Sequence, residues 1–235
     1  MMVLEEAKKL VSLPSVTGSE AALAQYLLKA FTSLGCKAYL YPVTKNRYNI
    51  YALLEGRQKD SVGLLFHGHL DTVAPHGMKD PFLPREEKGY LWGRGSVDQK
   101  GGIAAALAAF AEIAALQKTE GGGKKGEAEE FSGKNTPEVP QKPISRGLKK
   151  GVAFVGVIDE EAEHRGSMAL KKMGISAEGA VVTEPSALKI GIGCKGTLPL
   201  KITVTGRASH ACRPWLGENA RSEEHTSELQ SPNTI

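Results

Sequence analysis

The sequence predicts an α/β fold, a mostly parallel sheet with helices on both faces. Short, fully apolar runs at residues 62–66 and 152–158 read as strands buried on both sides. Helical patterns alternate with these runs, which is the signature of a covered parallel sheet. Four motifs also place a His, Asp or Glu just after an apolar run, at the carboxyl ends of strands where such sheets bind ligands.

The elements follow in order. Val3, Leu4, Ala7, Leu10 and Val11 recur at helical spacing, and Pro14 ends that helix. Thr17-Gly18-Ser19-Glu20 reads as a capping box opening a second helix. The apolar face of that helix is Leu23, Tyr26, Leu27, Ala30, Phe31 and Leu34, and Gly35 sits where a C′ glycine belongs. Residues 37–43 and 48–54 read as two strands around a polar turn. Residues 101–116 form an alanine-rich helix, apolar on most sides and so packed deep. A short helix around 168–173 and a strand at 180–183 follow the second buried strand.

Residues 117–150 break the pattern. They are rich in Gly, Lys, Glu and Pro and read as a flexible insertion. Residues 198–205 alternate like a half-buried strand, with Leu200, Ile202 and Val204 on one face. The glycine-rich stretch before them marks a domain boundary near Gly193. Residues 221–235 are out of character. Arg221 to Ser231 resemble the translation of a common short-read sequencing adapter. The natural sequence is therefore expected to run to about Ala220 and to continue beyond what is present. His225 lies in this tail and is not counted as a ligand.

Bulk properties narrow the function. The 235 residues carry a net charge of +4, with no basic stripe interleaved with aromatics, so nucleic acid is a poor partner. No apolar run approaches the roughly 20 residues of a membrane span. The amino terminus has no basic start and apolar core of a signal peptide. Three widely spaced cysteines without a Cys-x-x-Cys fit reduced thiols, and a cytoplasmic location is expected.

Five motifs carry the chemistry. They are Gly68-His69-Leu70-Asp71-Thr72-Val73, Gly93-Arg94-Gly95-Ser96-Val97-Asp98-Gln99-Lys100-Gly101-Gly102, Asp159-Glu160-Glu161, Thr183-Glu184-Pro185-Ser186 and Ala208-Ser209-His210-Ala211-Cys212-Arg213-Pro214. Oxygen and nitrogen donors gathered at strand ends are what a zinc-type centre needs. Each motif alone has a bland reading: a loop pair, an anion-binding turn, an acidic surface loop or a structural histidine.

Their order and wording over residues 10–220 resemble the co-catalytic zinc family of acetylornithine deacetylase, succinyl-diaminopimelate desuccinylase, aminoacylase and carboxypeptidase G. The resemblance implies a zinc-peptidase-like catalytic domain at 1–193. It also implies the truncated start of an α+β ferredoxin-like lid and dimerisation domain at 194–220. It further implies a homodimer. By matching positions, His69, Asp98, Glu161 and Glu184 are metal ligands, with Asp98 bridging two divalent ions, zinc first and cobalt or manganese as alternatives. Asp71 is the carboxylate behind His69, accepting the other imidazole N–H. Glu160 is the general base. His210 stabilises the oxyanion in the partner subunit's active site. Methionine is usual where this chain has Gln99. His67 is left structural.

The implied reaction is cleavage of an amide bond in N-acyl amino acids or short peptides by a metal-bound hydroxide. A dipeptidase or carboxypeptidase of the same family and a non-catalytic truncated scaffold are the alternatives. The family's last histidine ligand is absent here. The first ion keeps His69, Asp98 and Glu184, whereas the second has only Asp98 and Glu161. This chain is expected to be at most a poor single-metal binder and inactive, while its parent is an active hydrolase.

Overall fold

The computed structural model describes residues 2–59, 61–121, 147–187, 189, 203, 205–210 and 212–217. Most of the expected insertion, the boundary at Gly193, nearly all of the 198–205 strand and the adapter-like tail lie outside these residues. The chain divides into two units, Met1–Lys189 and Ile190–Ile235.

The first unit is built on a five-stranded sheet in the order β1-β2-β6-β3-β7. Its strands are β1 (Lys37–Thr44), β2 (Arg47–Leu54), β3 (Val62–His69), β6 (Gly151–Val157) and β7 (Gly179–Val182). A short hairpin of β4 (Arg85–Glu87) and β5 (Tyr90–Trp92), turning at Lys88 and Gly89 with positive φ, stands apart. The sequence pattern did not signal this hairpin, because three-residue strands carry too little periodicity. Around β3 the pairing is parallel, to β6 on one side and β7 on the other. At the other edge β1–β2 and β2–β6 are antiparallel. The sheet is therefore mixed rather than mostly parallel. The two-residue turn at Lys45 and Asn46 accounts for the β1–β2 pair, since a connection that short can only make a hairpin.

Four helices complete the unit: α1 (Val3–Val11), α2 (Ala21–Ser33), α3 (Gly101–Gly121) and α4 (Arg165–Met173). Alternation along β2 sends Ile50, Ala52 and Leu54 into the main core, while Leu53 joins a smaller cluster with Val62 and Ala153. α2 and α3 close the main core. Phe31 stacks on Phe154 at 4.9 Å and meets Phe110 edge-on at 5.0 Å. α4 lies on the opposite face, where Met173 lines a pocket with Tyr39, Tyr51 and Leu53. α3 is long and apolar enough to cross a membrane by length and composition. Here its Ile103, Leu107 and Phe110 are fully buried in the core.

The start of α2 departs from expectation. Glu20 precedes the helix and no side chain caps it. The Thr17 hydroxyl donates instead to Asp71 Oδ2 at 2.8 Å, and the Glu20 carboxylate pairs with Arg47. Distant charged partners outcompete the local capping box, because buried ionic hydrogen bonds are stronger than a neutral cap.

Lys100 is almost fully buried. Its Nζ donates to the Leu13 carbonyl at 2.6 Å and lies 5.8 Å from the Phe82 ring centre. Burial lowers its pKa from 10.5 to about 8. The unfolded lysine keeps its proton up to about 10.5, so folding releases a proton between those values. Stability from this group rises with pH across that window and is constant below it. Cys36, whose thiol burial raises to about 11, works in the opposite direction above about 9. Comparison with Lys100→Met isolates the lysine. Urea unfolding should shift in favour of the wild type by about 1 kcal/mol between pH 8 and 9. It should show no relative change between pH 6 and 7. A relative stability that is flat from pH 8 to 9 contradicts a depressed lysine.

In the second unit a single 3₁₀ turn, Pro214–Leu216, is formed among the described residues. Gly217 packs so closely on Arg207 and Ser209 that a Cβ would stand 2.6 Å from the Arg207 carbonyl oxygen.

Candidate metal centre

His69 closes β3, and its neighbours in space come from four other segments. Its Nε2 lies 2.7 Å from Asp98 Oδ1 and 3.9 Å from Glu184 Oε1. A ring nitrogen of His69 and carboxylate oxygens of Asp98 and Glu161 all lie within 4.8 Å of one another. The four ligands expected from sequence are thus gathered at the carboxyl ends of β3, β6 and β7. His69 is buried, whereas Asp98 and Glu184 are close to half exposed, so the cluster is open to solvent on one side.

The loop bearing Glu160 and Glu161 is fixed from several directions. Asn49, buried in β2, accepts the Ile158 N–H at 3.1 Å and donates to the Gly166 carbonyl at 2.9 Å, so both ends of the loop meet one side chain. A Cβ on Gly166 would stand 2.3 Å from the Ile158 carbonyl, so only glycine lets the loop close. Asp159, with positive φ, directs its buried carboxylate to Arg47 at 2.8 Å and to Arg165 at 3.4 Å. Arg47 also holds the fully buried Glu20, and together these acids raise the guanidinium pKa against the opposing effect of burial.

Asp71 has a role beyond the one expected. The imidazole Nδ1 of His69 sits 2.9 Å from the main-chain oxygen of Asp71 and 3.6 Å from its carboxylate. The carbonyl is therefore the nearer acceptor and directs Nε2 toward Asp98. The Asp71 carboxylate accepts the main-chain N–H of Glu160 at 3.0 Å and of Glu161 at 3.1 Å, besides the Thr17 hydroxyl. Three donors on a buried carboxylate favour its charged form. Burial works the other way, but His69 first and then these three donors outweigh it, and the pKa is lowered.

The electrostatics describe acids crowded around one imidazole. Burial opposes charge on His69, yet Asp71 and Asp98 outweigh it and raise its pKa to about 9. Burial raises Glu161, and the charge of Asp98 raises it further. Burial also raises Glu184, with Asp98 and Glu160 adding repulsion against the pull of His69. A divalent ion would relieve this crowding. An imidazole with several carboxylates is a donor set that such ions accept. His69, Asp98 and Glu161 lie close enough to share one ion, and Glu184 stands 3.9 Å from the imidazole. For a second ion, Asp98 and Glu161 are the matching donors among the described residues.

Sequence reading passed over four side chains that build this site. Gln99 accepts the His69 N–H and the Thr183 hydroxyl. Thr17, Asn49 and Arg47 anchor the acidic loop from positions more than fifty residues away along the chain. No local pattern marks such partners. His67, left structural, carries a buried Nδ1 without a hydrogen-bond partner among the described residues. His210 belongs to the second unit. It is exposed, and its Nδ1 accepts the Cys212 N–H at 3.3 Å, which leaves the proton of a neutral ring on Nε2.

Residues 65–123 match the profile of peptidase family M20/M25/M40. Over that stretch the chain is similar to a peptidase M20 family domain. A probable succinyl-diaminopimelate desuccinylase of Staphylococcus aureus strain Mu50 is 28% identical over 217 residues, covering 90% of this chain and 46% of its own length. A putative [LysW]-lysine/[LysW]-ornithine hydrolase of Pyrococcus furiosus is 30% identical over 209 residues, covering 88% of this chain and 49% of its own. Among solved structures, a tripeptidase from Staphylococcus aureus superposes with a TM-score of 0.56 at 17% identity. That match covers 95% of this chain and 54% of the tripeptidase, and it bears on the fold. The chain spans about half the length of the curated relatives it matches. The matched stretch of the M20 domain includes His69, Asp71 and Asp98.

Proposed function

We propose that the parent protein is a metal-dependent hydrolase that cleaves an amide bond in N-acyl amino acids or short peptides. The observation that carries this reading is the convergence of His69, Asp98 and Glu161 on one point, with Glu184 3.9 Å from the imidazole and the Glu160 main chain held by Asp71. Zinc is the ion we favour, with cobalt or manganese as substitutes, since mixed imidazole and carboxylate sites accept all three. His69, Asp98 and Glu184 would hold the first ion. Asp98 and Glu161 would contribute to a second. When bound, such ions polarise a carbonyl and bring the pKa of water toward neutrality.

The remaining steps belong to the chain's own groups. Glu160 takes a proton from the attacking water and delivers it to the leaving nitrogen. Asp71 holds the Glu160 and Glu161 main chain so that the base and the ligand keep a fixed spacing. His210, with its proton on Nε2, donates to the oxyanion that forms at the carbonyl carbon, in the active site of a partner subunit. A homodimer of the full-length protein is therefore part of the proposal.

The N-acyl and peptide readings both draw support from relatives whose names include a desuccinylase and a carboxypeptidase. Free Cys36 and Cys212 support a reducing, cytoplasmic setting. Among the described residues Asp98 and Glu161 are the donors for the second ion, and this 235-residue chain is proposed to be inactive. The test is hydrolysis by the full-length zinc-loaded protein of a panel of N-acyl amino acids and dipeptides. Turnover of at least one class, removed by a chelator and restored by zinc, is expected. Turnover that survives chelation contradicts the reading.

A further inference from the structure

Gln99 is fully buried and wholly committed to the site. Its Oε1 accepts the main-chain N–H of His69 at 3.0 Å and the Thr183 hydroxyl at 2.7 Å. Its Nε2 donates to Glu184 Oε1. Chemistry determines this orientation of the amide. A main-chain N–H can only donate, so the amide oxygen must face His69, which turns the –NH₂ toward the carboxylate. The backbone is shaped to receive the group. A Cβ on Gly68 would stand 2.6 Å from Gln99 Oε1 and 3.0 Å from Thr183 Oγ1, so glycine is what lets the amide reach the end of β3.

We propose that Gln99 is a positioning residue that holds Glu184 ready to ligate and ties it to the main chain of His69. This inference rests on the metal-site reading above. Glu184 lies just beyond β7, is close to half exposed and would otherwise sample several rotamers. Ordering a glutamate side chain at the moment of binding costs conformational entropy. The Gln99 N–H bears that cost during folding, before an ion arrives. Two ligands from different strands, His69 and Glu184, then move as one. Outer partners of this kind change metal affinity by about 10–100-fold in other sites.

The test is zinc affinity of the chain, measured by competition with a chromophoric chelator. Wild type, Gln99→Met, Glu184→Ala and the double variant are compared. Methionine keeps the volume and removes the hydrogen bonds. Gln99→Met is expected to weaken zinc binding by about tenfold or more. In the Glu184→Ala background the same change is expected to alter affinity by less than about twofold, because Gln99 acts through Glu184. Unchanged affinity in the single variant overturns the inference. So does an equal loss in both backgrounds, which is what a merely structural role produces. Zinc affinity that responds to neither His69→Ala nor Glu184→Ala would bring down the metal-site reading itself, and this inference with it. Should Gln99→Met lose its fold by circular dichroism, Thr183→Val serves instead, since it removes the hydroxyl that fixes the amide oxygen. It should weaken zinc binding by a smaller factor, and only when Glu184 is present. Wild-type affinity in that variant overturns the inference equally.

Discussion

Glu160→Ala in the full-length protein is expected to lower kcat by roughly 10²–10⁴-fold, the contribution typical of a general base. Zinc affinity should stay within about twofold, the scatter expected where a residue shares no metal contact. The separation of the two effects follows from the geometry. Glu161 belongs to the cluster with His69 and Asp98, whereas Glu160 is bound to the site through its main chain, by the N–H that Asp71 accepts. Alanine keeps that N–H and removes the carboxylate alone. Kinetics on the N-acyl or peptide substrate found in the panel, with zinc titration in parallel, provide the measurement. Undiminished kcat removes Glu160 from the mechanism. Loss of zinc together with kcat makes it a ligand instead of a base.

The second large effect concerns stability. Arg47→Met is expected to destabilise the first unit by about 3–5 kcal/mol, the range for breaking a buried ion pair from one side. The guanidinium is the partner of two buried carboxylates, Glu20 and Asp159, with Arg165 only a distant second donor to the latter at 3.4 Å. Removing it leaves Glu20 with the Gly18 N–H and Asp159 with the partly exposed Arg165. The loop that starts at Asp159 should also loosen, because one of its anchors is gone. Urea unfolding gives the first effect, and hydrogen exchange at the Glu160 and Glu161 amides gives the second. A loss below about 1 kcal/mol, the level of an exposed pair, contradicts the account.

Much of this was legible along the chain, for reasons that differ by element. α1 and α2 announced themselves through apolar residues at helical spacing, and Gly35 stopped α2 with the positive φ a C′ glycine adopts. β6 was readable because a strand buried along its whole length leaves a continuous apolar run, and β3 carries such a run although most of it is only half-buried. The motifs of His69, Asp98 and Glu161 could be read as one candidate cluster, and these side chains do lie together, with Glu184 3.9 Å from the imidazole. The antiparallel edge was not legible as such, since periodicity says where a strand is and not which neighbour it takes. The capping box misled, because a Thr and a Glu three residues apart look the same whether they cap a helix or serve Asp71 and Arg47. Gln99 looked like a tolerable exchange beside a ligand. Its three hydrogen bonds, to groups on two different strand ends, become visible only in three dimensions.

The most direct measurement is anomalous diffraction at the zinc edge from crystals of this chain grown with zinc. A peak about 2.0–2.2 Å from His69 Nε2 and from carboxylate oxygens of Asp98 and Glu184 is the predicted result. A zinc peak remote from those side chains, or none at all in the presence of excess zinc, would contradict the account.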